Sequence, residues 1–151
     1  MLNVDDIRER YNQLYPEDGV MENTLERIED ILQLKLPTDF RNIAKFYSGG
    51  LLGGISCFAF THEHITPNIV DETLRLRTSI NLPSNFVVLA EPPNSLIIMD
   101  TQNPPSIIWC DATDTKRIST MTFISPPTLW ETFFDFFTKL VEDEEEEQLE
   151  E

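Results

Sequence analysis

The stretch Leu34–Gly50, LKLPTDFRNIAKFYSGG, constrains the fold more than any other part of the chain. It reads as a short helix with both ends written in. Pro37 suits a first helical position, where its missing N–H has no partner to lose. Asp39 places negative charge in the first turn, where the helix dipole favours it. Phe40, Ile43, Ala44 and Tyr47 recur at helical spacing and form one apolar face. Gly49 and Gly50 can take the left-handed backbone that ends a helix and turns the chain. The apolar run Leu51–Phe60 follows at once and reads as strand. The segment therefore hands a helical layer over to a sheet.

The flanks extend this pattern. Val4, Ile7, Tyr11 and Leu14 share one face of a first helix over Val4–Tyr15, with Asn3 as its cap and Pro16 as its stop. Leu25, Ile28 and Leu32 line a second helix over Glu22–Leu32, where Asn23 and Glu26 are spaced as a capping pair. Gly53 and Gly54, inside the apolar run, predict a bulge or a close approach by another backbone. Thr66 and Pro67 read as the cap and first residue of a helix whose stripe is Ile69, Thr73, Leu76 and Ile80. Phe86–Glu91, Ser95–Asp100 and Ser106–Asp111 are short apolar runs bounded by Pro, Asn and Asp. Their tight connections predict antiparallel neighbours. Arg117–Ile124 reads as one more strand. Thr128 and Glu131 sit at capping-box spacing and open a last helix that carries Leu129, Trp130, Phe133, Phe134, Phe136, Phe137, Leu140 and Val141. Its apolar face is too wide for a surface helix, so it must cross the sheet or fill a groove. The segment Glu142–Glu151 is an acidic tail, either a frayed helical extension or disordered.

With 151 residues, 40% of them hydrophobic and ten Phe, the chain has the makings of one core: a single domain over residues 1–141 followed by the tail. No apolar run approaches the roughly 20 residues that span a bilayer. The opening MLNVDDIRERY is charged from the start and lacks the apolar centre of a secretory leader. Cys57 and Cys110 sit in apolar runs as small hydrophobes, which fits a reducing cytoplasm.

The net charge is −16, from 27 acids against 11 bases. The tail holds eight of those acids, and the remainder of the chain is still net acidic. Such a field repels nucleic acid and anionic membranes and steers basic partners inward. The bases are scattered, with no aromatic-interleaved basic strand of the RNA-binding kind. Solubility alone is the competing explanation for the acidity.

Signals for chemistry are thin. His62 and His64 could offer two metal ligands from one strand face, with Cys57 or Glu72 as a third. No second His or Cys cluster supports that, and two exposed loop histidines are the plainer reading. Neither cysteine has a neighbouring His, and no nucleophile elbow is present. The glycines after Gly49 lack the Lys-Ser/Thr of a phosphate loop. The expectation is a protein without catalytic residues, metal or cofactor.

What remains is a surface. Glu91, Asp100, Asp111 and Asp114 lie at or just past strand ends, either as solvated turns or as partner contacts. In antiparallel strands these four need not share one edge. Trp109 alternates with Ile107 and so reads as core, its other reading being a half-exposed anchor beside Asp111. Tyr47 and Trp109 are the candidate apolar anchors, beside the four acids.

The ordered set comprises a helix with an internal Glu29, LKLPTDFRNIAKFYSGG, a glycine-bearing strand, SLIIMD, SIIWCD, and the Phe-rich LWETFFDFF. It resembles the SUKH superfamily, which includes the yeast cell-wall-assembly (glucan synthesis) regulators and many bacterial immunity proteins. The likeness spans about Glu22–Val141 and is most specific over Leu36–Gly50. It implies an α+β fold with a mixed or mostly antiparallel sheet of roughly four to six strands, wrapped by N-terminal helices and the Phe-rich helix. It implies no catalysis. It also implies a cytoplasmic protein that binds and masks a toxin domain, commonly a nuclease, or else a regulatory adaptor for a housekeeping protein.

Overall fold

Leu34–Gly50 does join two layers, through a shorter helix than its pattern suggests. The computed structural model describes residues 2–150. Helices α1 (Val4–Leu14), α2 (Glu22–Leu32) and α3 (Thr38–Ile43) come first. Pro37 is the extended residue capping α3 rather than its first helical residue. The buried Glu29 of α2 reaches across the connection. It accepts the Leu36 N–H at 2.8 Å and pairs with Arg41 at 3.0 Å, fixing where α3 begins.

Leu51–Phe60 is a hairpin and not one strand. β1 (Gly50–Leu52) and β2 (Ile55–Cys57) pair around Gly53 and Gly54. Of the two expectations for Gly53, close approach holds. It has φ +57°, and a Cβ there would lie 2.5 Å from the Leu140 carbonyl oxygen. Gly49 has φ +98°, and a side chain there would strike the Phe58 carbonyl at 2.5 Å.

Helix α4 (Ile69–Ser79) leads into the main sheet, which is made of β3 (Phe86–Ala90), β4 (Ser95–Asp100), β5 (Ile107–Asp111) and β6 (Thr128–Trp130). The strand order is β3-β4-β5-β6 with every pair antiparallel. Two cores sandwich this sheet, so the apolar runs of β3 and β4 are buried without alternation. Val87, Leu89, Ile97, Met99 and Ile107 face the larger core, under α1–α3 and α5 (Phe133–Leu149). Val88, Leu96, Ile98, Ile108 and Cys110 face the smaller one, with Leu76, Leu82 and Ile118.

Arg117–Ile124 is not a strand. Ala112–Thr120 forms 3₁₀ turns, because Asp114 is drawn fully inside. Its carboxylate accepts the N–H groups of Ile124 at 3.1 Å and Ser125 at 3.0 Å. The fourth strand is Thr128–Trp130, where the helical reading placed a cap. The sequence TLWETFFD holds two Thr-x-x-acid pairs, and the second is the working one. Thr132 accepts the Asp135 N–H at 3.0 Å and starts α5. Two further caps differ in the same way. Asn68, and not Thr66, caps α4 by accepting the Asp71 N–H, and α2 starts at Met21 without a side-chain cap.

Helix α5 runs through the acidic segment to Leu149. Its Phe133 and Phe137 close an aromatic cluster with Tyr11, Phe40, Phe46, Tyr47 and Phe60. Glu144, only 7% exposed, accepts the Tyr15 hydroxyl at 2.8 Å and the Gly53 N–H at 3.0 Å. Among the described residues no helix is long and apolar enough to cross a membrane.

Candidate functional site

Antiparallel pairing sends successive strand ends to opposite edges of the sheet, and this divides the four strand-end acids. Ser95 pairs with Asp111, whereas Asp100 pairs with Phe86 at the other end. Glu91, just past β3, lies at the Ser95 end with Asp111 and Asp114. Asp100 stands alone at the opposite end.

At the Ser95 end each acid has work inside the fold. Glu91 forms an ion pair with Arg75, which also holds Glu72 at 3.2 Å. Asp111 caps the 3₁₀ turns, accepting the Thr113 N–H at 2.9 Å and its hydroxyl at 2.8 Å. Those two bonds hold its carboxyl below the usual aspartate range. Asp114 is 0% exposed and offers a partner nothing. Its place among contact residues is corrected by the backbone it serves.

The two aromatic anchors also separate. Tyr47 is 2% exposed, with its ring among Tyr11, Phe60 and Phe137 at 5.9, 5.5 and 5.1 Å. Its hydroxyl donates to the Gly50 carbonyl at 2.7 Å, and burial raises its pKa well above the ordinary phenol value. It is core, and as a surface anchor it is corrected. Trp109 is half-buried against the larger core. It stacks on Trp130 with centroids 6.4 Å apart, and its indole N–H donates to the Ser95 hydroxyl at 2.8 Å.

The Asp100 end opens into a groove of ≈ 700 Å³ between the start of α3, the β4–β5 loop and the junction of β6 with α5. Leu2, Pro37, Pro104 and Phe134 supply apolar surface, and Asp39, Asp100, Glu131 and Asp135 supply four carboxylates. Among the described residues no Lys or Arg lines it. Two of these acids build its walls. Asp39 accepts the Phe40 and Phe134 N–H groups, each at 2.8 Å, tying α3 to α5. Asp100 accepts the Asn85 amide and the Gln102 N–H at 2.9 Å and the Asn103 N–H at 3.2 Å, shaping the loop. Glu131 and Asp135 are exposed on the rim, and their carboxylates accept no hydrogen bond from the described residues.

Of the six residues singled out in the sequence, only Asp100 reaches this groove. Asp39 and Glu131 had shown themselves solely as helix-end charges, and Asp135 not at all. The second Thr-x-x-acid pair, Thr132 with Asp135, was the available signal for the groove's far wall.

His62 and His64 lie in an irregular loop, each 3.4 Å from Glu63. Among the described residues no three His, Cys, Asp or Glu side chains converge as metal ligands. Burial pushes both thiols, Cys57 and Cys110, up to about 11.

Fold and groove together define a single α+β domain that presents a concave acidic surface. More particularly, the chain belongs to the SUKH family: the family model described as SUKH_5, SMI1-KNR4 cell-wall, matches residues 3–142. The likeness read from Leu36–Gly50 and the Phe-rich helix is thereby confirmed. No curated protein matches the chain. Members of this family generally act by binding other proteins and are generally non-catalytic.

Proposed function

We propose that the chain is a bacterial immunity protein. It acts in the cytoplasm by binding a toxin domain one to one and masking it. The target is a nuclease with a basic active face. The observation that carries this reading is the uncompensated acidity of the fold. With 27 acids against 11 bases, the cations are few, and most of them are already paired with acids. Arg8 pairs with Glu17, Arg41 with Glu22 and Glu29, Arg75 with Glu72 and Glu91, and Lys139 with Asp143. The field reaching solvent is therefore mainly acid, with Arg27, Lys45 and Lys116 as exposed bases that form no ion pair among the described residues. A nuclease must hold phosphate and so presents the opposite sign. Complementary fields of this strength speed encounter and make the complex salt-sensitive. Masking a face needs no catalytic group, metal or cofactor.

The test is capture by the full chain from its source cell at low and then high salt, followed by assay of what is retained. A basic nuclease held at one-to-one stoichiometry, inhibited in the complex and released by salt is the expected result. A cell-wall enzyme or other housekeeping factor, retained without loss of its activity, would overturn the immunity reading in favour of a regulatory adaptor.

A further inference from the structure

The groove at the Asp100 end is preformed. Its walls are pinned by carboxylates that accept backbone N–H groups: Asp39 those of Phe40 and Phe134, Asp100 through Oδ1 those of Gln102 and Asn103. Binding there does not require these walls to be built first, which removes an ordering cost. Its apolar surface comes from three separate elements, through Pro37, Pro104 and Phe134. Phe134 is half-buried, with its inner side packed against the larger core, so it is held in place. On the rim, Glu131 and Asp135 keep their carboxylates free, four residues apart across the β6–α5 junction.

We propose that this groove receives an extended loop of a basic protein partner, with an apolar side chain seated between Pro104 and Phe134 and arginine or lysine on either side meeting Glu131 and Asp135. The inference rests on the binding reading above and names its surface. Charge complementarity selects this occupant. Among the described residues, the four ionisable side chains lining the groove are all acidic, and no Lys or Arg lines it. A second copy of the chain, at −16, would bring its own acidity against this rim. The edge strand β6 runs into the same rim, but it is three residues long and follows Pro126 and Pro127, the usual blunting of a sheet edge. The partner's side chains, and not an added strand, therefore make the contact.

The experiment uses a defined probe, the acetylated peptide Gly-Arg-Leu-Arg-Gly, titrated into the full-length protein and followed by backbone amide NMR. The expected perturbations fall on the amides of Thr38, Asp39, Gln102, Asn103, Ser106 and Thr132–Asp135. The double variant Glu131→Lys/Asp135→Lys should weaken binding about tenfold or more. Glu146→Lys/Glu147→Lys changes net charge equally on the far end of α5 and should stay close to wild type. Both pairs are exposed, so folding is checked simply by the unperturbed spectrum. Perturbations spread over the whole acidic surface, equal weakening by the two variants, or no binding by the peptide would each overturn the groove assignment. The same variants separate this inference from the function proposed above. A captured toxin indifferent to Glu131→Lys/Asp135→Lys removes the groove and leaves the immunity reading standing. Peptide binding at the groove without any toxin partner does the reverse.

Discussion

The two ends of the four-stranded sheet carry acids with one sequence signature and opposite employment. At the Ser95 end, Glu91, Asp111 and Asp114 are consumed by an arginine, a 3₁₀ cap and two loop N–H groups. At the Asp100 end, Asp39 and Asp100 are likewise consumed, and they thereby hold open a groove whose rim acids are free. A carboxylate at a strand end can thus be a backbone acceptor and not a contact for a partner. Accessibility and unspent hydrogen-bonding capacity tell the two apart, and neither is written in the residue type.

Four variants put that division at risk, from the largest effect to the smallest. Asp114→Ala strips two N–H groups of their acceptor inside the fold and should cost about 2–3 kcal/mol in a denaturant melt. An unchanged midpoint would mean that the Ser95 end does not depend on its buried acid. Asp39→Ala unties α3 from α5 and should cost about 1–2 kcal/mol, with faster amide exchange at Phe134 as its local mark. Asp111→Ala should cost less, and its effect should depend on pH. The Thr113 bonds lower the folded pKa of Asp111 beneath its ordinary 3.8. Their contribution is therefore present above that value and is lost as pH falls through the folded pKa. The gap between variant and wild type should close in acid, and a gap that widens there would contradict the cap. Glu131→Gln with Asp135→Asn should leave the melting temperature where it is, since neither carboxylate is bonded. A clear loss would show that the rim is structural too.

Much of the scaffold was legible in the sequence because its signals are local. Asn3 before Val4 marked α1 correctly. Three apolar runs separated by Pro and Asn marked β3 to β5 and their antiparallel order. The misses share a cause: a tertiary partner overrode a local pattern. Arg117–Ile124 alternates like a strand, yet the buried Asp114 gathers the backbone at its end. Leu129 and Trp130 suit a helix, yet pairing with Ile107 and Ile108 draws them into β6. Tyr47 reads both as part of the apolar face of its helix and as a partner anchor, and the first holds: its ring is buried and its hydroxyl has its acceptor three residues on, at Gly50. The groove was the least legible element. Its walls come from three distant segments, and two of its four acids serve visibly as helix ends, which hides their second role.

The position of Glu144 bears on how the chain is made. The aromatic residues of the N-terminal half, Tyr11, Phe40, Phe46 and Tyr47, find their covering in Phe133 and Phe137, and the hairpin turn finds its latch in Glu144. A ribosome delivers these well after the residues they cover. Until α5 has emerged, the nascent chain carries an open aromatic socket, so native closure waits for that helix. The acidic end is then the clasp of the domain, and a chain cut at Val141 would lack it.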